Sequence, residues 1–326
     1  VTVCERIDRA RQALLAIETD VDDAKQRVIR AQQLATRLQE HIDAAIGCRD
    51  GYVAFVSGSA EPPRLEIAPL DVGPVLDNGI WKQRTAVLTS ATIPTSLAHR
   101  VGIEDGTFEE LDVGSPFDHE RNALLYCAMH LPDPRAPKRD EQVHEEITAL
   151  INAAGGRTLA LFTSWRAMEA AAEAVRARVS HPIITQRDLP KPALVRAFTD
   201  DEHTCLFATA GFFQGVDIPG RTLSLVIIDK IPFPRPDDPL LSARRELLGP
   251  AAFAEIDLPR ASMLLAQATG RLIRTATDRG VVAVLDPRLG TARYRWDVIR
   301  ALPPMRRTRH RADAEAFLRE ITIDGG

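Results

Sequence analysis

The chain has 326 residues, 41 basic and 45 acidic side chains, a formal net charge of -4, 45% hydrophobic and 5% aromatic residues. These proportions are typical of a soluble globular protein of about two domains, which excludes a disordered chain or a small disulfide-bonded scaffold. The near-neutral charge excludes a surface that is basic throughout, so any nucleic-acid contact needs a local patch. The four cysteines are widely spaced, without a CxxC pair. With no signal peptide and no long apolar segment, we expect a cytoplasmic protein without a metal site.

The first hundred residues change from a helical to a strand-like pattern. Over 6–46 apolar residues recur at intervals of three and four, which predicts one or two amphipathic helices. Alternating segments bounded by proline and glycine predict strands over 51–57 and 64–72. A short apolar run over 85–88 predicts a further buried strand, which leads into Ser90 and Thr92.

After about residue 112, short apolar segments alternate regularly with amphipathic ones. Strands that are apolar on both faces and separated by helices predict a parallel sheet covered on two sides, hence an α/β fold. Chemistry in such sheets gathers in loops at the carboxyl ends of the strands. The predicted strands are 123–128, 158–162, 183–185, 204–208, 223–228 and 281–285, and the predicted helices are 140–154, 165–179, 191–198 and 258–274. A basic, proline-marked stretch over 302–311 precedes a final short helix.

The segment LAQATGRLIR, over 265–274, carries two closely spaced arginines. If it is helical, Gln267, Gly270, Arg271 and Arg274 lie along one polar edge of an otherwise apolar helix. Guanidinium groups bind phosphate oxygens bidentately and stay charged at any working pH, so this edge suits an anion. The alternative is a pair of surface arginines that neighbouring acids neutralise.

A glycine-rich segment, ATAGFFQGVDIPG over 208–220, connects two predicted buried strands. Gly211 and Gly215 allow backbone conformations closed to other residues and a close approach to a ligand. Asp217 follows, where its carboxylate can orient a ribose hydroxyl or an arginine. The alternative for this segment is a tight turn with an Asx hydrogen bond.

Several segments occur together in a fixed order, and their combination is far more specific than any one of them. The series resembles the motifs of superfamily 2 nucleic-acid helicases, and within them the XPD/DinG-like branch, with its SAT, FTSxRxME, GxFxxGVDxPG, IIDxxPF, QxxGRxIR and LDPR forms. The matching segments are AVLTSAT, TLALFTSWRAM, ATAGFFQGVDIPG, VIIDKIPFP, LAQATGRLIR and VLDPR.

The resemblance implies two RecA-like domains with ATP bound between them. Arg271 and Arg274 match the arginines that the second domain supplies to the γ-phosphate, an effect worth about 10³–10⁵ in rate where it has been measured. Gln267 and Gly270 accompany them in the nucleotide site, and Gly215 and Asp217 match the loop that couples nucleotide state to strand position. The residues implied in nucleic-acid contacts are Ser90, Thr92, Thr163, Ser164, Trp165 and Gly211.

The chain departs from the family pattern in two places. Phe213 and Gln214 stand where the glycine loop often has Trp-Glu, so a stacking or carboxylate role there does not follow. No GxxxxGK[ST] sequence occurs, and none of the five lysines follows a glycine. The Asp-Glu-His run over 201–203 lies after a predicted helix of the second domain, whereas a Walker B carboxylate should end a buried strand of the first.

We therefore interpret the chain as the C-terminal half of a DinG-like ATP-dependent DNA helicase, inactive alone and acting 5′ to 3′ as a monomer on single-stranded or forked DNA. ATP and Mg²⁺ would be bound mainly by the missing N-terminal half, and any iron–sulfur cluster would lie outside this chain. The expected regions are the remnant of a helical insertion (1–48), the end of the first RecA-like domain (49–110) and the second RecA-like domain (111–326).

Two other functions stay open at this point. One is a catalytically silent RecA-like module that binds single-stranded nucleic acid or a partner. The other is a different P-loop-like enzyme whose arginines serve another phosphoryl transfer. A Walker A loop and a DExH box in an upstream sequence would favour the helicase over both.

Overall fold

The computed structural model describes residues 2–17, 21–46, 50–57, 64–90, 92–94, 96–213 and 223–323. The chain divides into two compact units, and neither is one continuous stretch. Unit 1 comprises Val1–Thr89, Thr95–Glu109 and Arg235–Ala252. Unit 2 comprises Ser90–Pro94, Glu110–Pro234 and Phe253–Gly326.

The strands, in chain order, are β1 (Tyr52–Ser57), β2 (Arg64–Pro69), β3 (Ala123–Cys127), β4 (Thr158–Phe162), β5 (Ile183–Thr185), β6 (Cys205–Thr209), β7 (Leu225–Ile228), β8 (Gly280–Val284) and β9 (Arg306–Thr308). The helices are α1 (Thr2–Leu15), α2 (Asp22–Ile46), α3 (Gly73–Leu76), α4 (Leu97–Arg100), α5 (His119–Asn122), α6 (Arg139–Ala154), α7 (Trp165–Arg176), α8 (Lys191–Asp200), α9 (Pro239–Leu248), α10 (Leu258–Thr269), α11 (Arg288–Thr291), α12 (Arg295–Arg300) and α13 (Arg311–Ile323). Short π-helical turns span Asp77–Trp81 and Phe253–Asp257, and 3₁₀ turns span Ala210–Phe213 and Gly249–Ala251.

Unit 1 combines two long helices with a β-hairpin. The predicted amphipathic pattern over 6–46 is confirmed as α1 and α2, which contact each other and are joined by a bond from Gln32 Nε2 to the Leu14 carbonyl (3.0 Å). Strands β1 and β2 pair antiparallel, and α9 packs against β1. The Arg244 Nε of α9 donates to the Leu70 carbonyl (2.8 Å), which fixes this later segment of the chain to the hairpin.

The strand predicted over 85–88 is wrong. These residues have no regular structure, and Val87 is 84% exposed. An apolar run becomes a strand only when a neighbouring strand accepts its backbone hydrogen bonds. No strand in the described residues pairs with this segment.

Unit 2 contains a seven-stranded sheet in the order β5-β6-β4-β7-β8-β3-β9, and every neighbouring pair is parallel. This confirms the predicted α/β fold. β4 and β8 are buried along their whole lengths, as two-sided coverage requires. Helices α8, α10 and α12 contribute to the core on one face, and α6, α7 and α13 to the core on the other.

Strand β9 forms one edge of this sheet, within the basic stretch that the sequence marks. It pairs with β3, with Leu124 opposite Arg306 and Leu125 opposite Arg307. Since successive residues of a strand point to opposite faces, these two arginines lie on different faces of the sheet. No helix in the described part of the chain combines the length and apolar character that a bilayer crossing demands.

Candidate functional site

The loop after β4 presents polar and aromatic side chains at the carboxyl edge of the sheet. Ser164 has extended backbone angles and caps α7, because its Oγ accepts a hydrogen bond from the Ala167 amide (3.2 Å). A hydroxyl that accepts in a cap can still donate its own proton to a ligand. Thr163 is exposed, and the Trp165 ring is 41% exposed.

An arginine covers this tryptophan. The Arg187 guanidinium lies 5.0 Å from the centre of the Trp165 ring, and its Nε is 2.9 Å from a Glu169 carboxylate oxygen. An exposed ring beside a cation matches the chemistry of single-stranded nucleic-acid binding, in which bases stack and phosphates pair with positive charge.

A small cavity at the carboxyl ends of β4 and β7 links this loop to α10. Thr163, Lys230 and Gln267 line it together with apolar side chains of the two strands and the helix. The structure thus brings two of the predicted site residues, Thr163 and Gln267, to one cavity. Lys230, which brings a positive charge to the same cavity, was missed by the sequence analysis.

The helix predicted over 258–274 ends at Thr269, so the predicted polar edge is wrong. Gly270 is the C-cap in a right-handed conformation, and Arg271 and Arg274 lie in the loop beyond it. Their neighbours Leu272 and Ile273 are each only 2% exposed. This buried pair anchors the loop, with a half-buried arginine on either side.

Asp278 stabilises the loop that follows the helix end. Its Oδ2 accepts hydrogen bonds from the amides of Arg274 (2.8 Å) and Thr275 (2.7 Å), and its Oδ1 accepts from the Thr275 hydroxyl (2.7 Å). In a continued helix those two amides would bond to carbonyls one turn earlier. The Asp278 carboxylate replaces those carbonyls and folds the chain into a tight turn.

The glycine-rich loop is only partly described. Gly215 and Asp217 fall within 214–222, outside the described residues. Gly211 is exposed in the 3₁₀ turn after β6, and a Cβ added to it would meet nothing within 4 Å. Gly211 does not use here the positive-φ conformation that glycine permits, since a 3₁₀ turn has ordinary negative φ angles.

Ser90 and Thr92 form a local turn. The Ser90 Oγ accepts from the Thr92 amide (3.2 Å) and donates to the Thr92 carbonyl (3.3 Å). Ser90 is exposed and Thr92 is half-buried. The short hydroxyl-mediated turn holds both side chains at the surface of unit 2.

Sequence reasoning missed a buried charged network between the ends of β7 and β8. Arg139, 2% exposed, donates from Nη1 to Asp229 Oδ1 (3.1 Å) and from Nη2 to the carbonyls of Asp229 (2.9 Å) and Leu285 (2.8 Å). Burial raises the pKa of Asp229, although Arg139 and Lys230 oppose that shift. Asp286 is fully buried and accepts from the Ile231 amide (3.0 Å).

The partners of this network explain why it was missed. Asp229 and Asp286 lie in segments that the motif series contains, but Arg139 lies 90 positions before Asp229 in a polar helix start. Arg288, next to Asp286, donates to both of its carboxylate oxygens (2.7–3.2 Å). The network fixes the loops that follow β7 and β8, where ligands of α/β sheets bind.

The comparisons with known proteins relate this fold and site to helicase C-terminal domains. Residues 147–305 match the family model described as "Helicase C-terminal domain". A solved structure named "XPD_Helicase" shares the fold, with a TM-score of 0.60 and 18% identity over 91% of this chain and 55% of that chain.

Curated relatives specify the branch. "ATP-dependent helicase DinG" of Mycobacterium tuberculosis (strain ATCC 25618 / H37Rv) is 47% identical over 267 residues, which are 79% of this chain and 40% of that protein. "ATP-dependent DNA helicase YoaA" of Escherichia coli (strain K12) is 42% identical over 277 residues, 82% of this chain and 43% of the relative. The predicted resemblance to DinG-like and XPD-like helicases is therefore confirmed. The chain spans about two fifths of the length of these relatives.

Proposed function

We propose that this chain is the C-terminal part of an ATP-dependent DNA helicase that couples ATP hydrolysis to movement along single-stranded DNA, 5′ to 3′, in DNA repair or replication. The observation that carries the proposal is the loop after α10. In this loop Arg271 and Arg274 lie on either side of the buried residues Leu272 and Ile273. The chain that contains the loop is 47% identical over 267 residues to a relative named "ATP-dependent helicase DinG".

In this proposal Arg271 and Arg274 contact the γ-phosphate of ATP. Charge builds up on phosphoryl oxygens during transfer, and guanidinium groups stabilise it without changing their protonation. Gln267 and Gly270 complete the nucleotide contacts of this unit, and Gly215 and Asp217 link nucleotide state to the DNA strand. Support comes from the position of the arginines beyond a helix end, where a short turn can approach a ligand.

The nucleic-acid contacts are proposed along the carboxyl edge of the sheet and in the Ser90–Thr92 turn. Thr163 and Ser164 would contact phosphates, and Trp165 would stack on a base beside Arg187. Gly211 would allow the backbone to approach the strand. The exposure of the Trp165 ring and its neighbouring guanidinium support this assignment.

The rest of the active site is proposed to lie outside this chain. Residues 1–48, 49–110 and 111–326 would be a helical insertion, the end of the first RecA-like domain and the second RecA-like domain. The described residues hold no group of three His, Cys, Asp or Glu side chains that could bind a metal. The arginines suit phosphate rather than Mg²⁺, so the cation and the Walker lysine would come from the preceding half of a monomeric, cytoplasmic protein.

The test is ATP turnover in the longer protein that contains this chain. Arg271→Ala should lower DNA-stimulated ATPase by about 10³-fold or more, as loss of an arginine finger does. The matched control is Arg319→Ala, an exposed arginine of α13 that pairs with Glu315 (2.7 Å), and it should change turnover little.

The 326-residue chain alone should show no DNA-stimulated ATPase above background. Turnover by the chain alone that disappears in Arg271→Ala would contradict the assignment of the missing groups to another half. Unchanged turnover of the longer Arg271→Ala protein would contradict the proposed contact of Arg271 with the γ-phosphate. A longer protein without DNA-stimulated turnover would contradict the helicase function and favour a silent binding module.

A further inference from the structure

The edge of the sheet at β9 carries a concentration of positive charge that the proposed function does not use. Between Arg293 and Arg311 the chain has seven arginines and a single acid, Asp297, although its overall formal charge is -4. The segment includes α12 and β9, and Arg307 and Arg309 are exposed. A local basic surface on an acidic chain indicates a polyanionic partner.

Each face of β9 places an arginine on an aromatic ring. On one face, the Arg306 guanidinium lies 5.2 Å from the centre of the Phe317 ring of α13. On the other face, the Arg307 guanidinium lies 5.6 Å from the Trp296 ring of α12, and the Arg295 guanidinium lies 5.4 Å from that same ring. Trp296 is 45% exposed despite these two neighbours.

The charges around Trp296 are not neutralised within the described residues. Neither Arg295 nor Arg307 forms an ion pair there, whereas Arg300 of the same helix lies 3.8 Å from Asp297. A guanidinium stacked on a ring keeps N–H groups at its rim, where they can bind phosphate oxygens. The cluster therefore holds two preorganised cations beside an exposed aromatic surface.

The same combination of an exposed tryptophan and an arginine occurs after β4, an interior strand of the sheet. Trp165 with Arg187 follows β4, and Trp296 with Arg307 lies at β9. Four strand spacings separate β4 from β9, which is ~19 Å at about 4.8 Å per strand. This is the lateral spacing of the two strands, and the two tryptophans belong to helices that pack on opposite faces of the sheet, α7 on one and α12 on the other.

We propose that the Trp296 cluster, defined as Arg295, Trp296 and Arg307, is a second binding site for the sugar-phosphate backbone of single-stranded nucleic acid. The choice of a strand as the partner rests on the proposed function. The alternative partner for the same charge is an acidic protein segment. An exposed tryptophan between guanidinium groups favours nucleic acid, because it offers a stacking surface to an unpaired base.

The test measures binding of the 326-residue chain to a fluorescent oligothymidylate by anisotropy at several salt concentrations. Each phosphate contact on a single strand contributes ~0.7 to the slope of log K against log salt. Arg295→Gln with Arg307→Gln should therefore reduce the slope by ~1.4, and each single variant by ~0.7. Trp296→Leu should weaken binding with little change of slope. The matched control Arg319→Gln should leave both the affinity and the slope unchanged.

An unchanged slope in the double variant, or no binding by the unmodified chain, would overturn the proposal. Binding of polyglutamate with an Arg307-dependent slope, without binding of oligothymidylate, would overturn it in favour of an acidic protein partner. If circular dichroism shows that the double variant is unfolded, the salt slopes of the two single variants test the proposal instead. The ATPase of the longer unmodified protein separates the two proposals: absence of DNA-stimulated turnover with a reduced slope in the double variant rejects the helicase and keeps the second site.

Discussion

Asp278 is the residue that shapes the loop of the two arginines. It accepts from the amides of Arg274 and Thr275 and so stabilises the turn beyond α10. We expect it to act as a positioning residue for phosphoryl transfer.

In the longer protein, Asp278→Ala should lower kcat for DNA-stimulated ATP hydrolysis by on the order of 10²-fold, because small misplacements of catalytic groups cost that much. Asp278→Asn retains one carbonyl oxygen and should recover part of the loss. The control is Asp313→Ala, which removes an acceptor of the Thr308 hydroxyl elsewhere in the unit (2.6 Å). A fall in stability with unchanged kcat would show that Asp278 is only structural.

Arg139 illustrates which part of the site a sequence does not reveal. Its position at the start of α6 has the composition of a solvated surface, and only the fold brings it to Asp229. By contrast, Thr163 and Gln267 were both predicted from local motifs, and the structure places them around one cavity. Local patterns identify residues that face a ligand, whereas long-range ion pairs depend on the folded topology.

At the scale of elements, the ends of β7 and β8 depend on the Arg139 network. Arg139→Met should reduce the free energy of unfolding by about 3–5 kcal/mol, because it leaves the Asp229 carboxylate buried without its main partner. Adding Asp229→Asn to Arg139→Met should recover part of that loss, since the buried charge is then removed. Urea unfolding of the 326-residue chain measures both. A double variant less stable than Arg139→Met would contradict this account.

Six of the seven strands of the sheet in unit 2, β3 to β8, were predicted within a few residues, because burial on both faces gives continuous apolar runs bounded by loops. Strand β9 was not predicted, because its arginine and threonine residues form no apolar run. The helix ending at Thr269 was extended too far, since Leu272 and Ile273 continue the apolar spacing although they are buried in a loop. Helix α9 was not predicted, although Asp238 caps it by accepting from the Leu241 amide (2.9 Å) and Pro239 follows at the first position. The spacing of apolar residues predicts which positions are buried. It does not predict which backbone hydrogen bonds form, and these decide where a helix ends.

At the scale of the whole molecule, burial lowers the pKa of three histidines, His119, His144 and His181. Below the unfolded pKa of about 6.5, these histidines are protonated in the unfolded chain. In the folded chain they stay neutral down to a lower pH, so the unfolded state binds more protons. The free energy of unfolding should therefore fall as the pH falls below about 6.5. Asp229 has the opposite effect on the free energy of unfolding. Burial raises its pKa, so the folded state binds the proton more readily and is stabilised as the pH falls.

Urea unfolding at pH values above and below about 6.5 measures how the free energy of unfolding depends on pH. A variant with glutamine at all three histidines should show a flatter dependence of the free energy of unfolding on pH. An equally steep dependence in the triple variant would assign the effect to other groups.

Both edges of the parallel sheet are short. β5 and β9 each contain three residues, whereas the strands between them contain four or five. At β5, Asp188 accepts from the Thr185 amide (2.8 Å), and at β9 two of the three side chains are arginine. Short, charged edges offer little template for a strand from another molecule. Arg307 of β9, which we assign to binding a nucleic-acid strand, would thus also reduce edge-to-edge aggregation of this protein at high concentration.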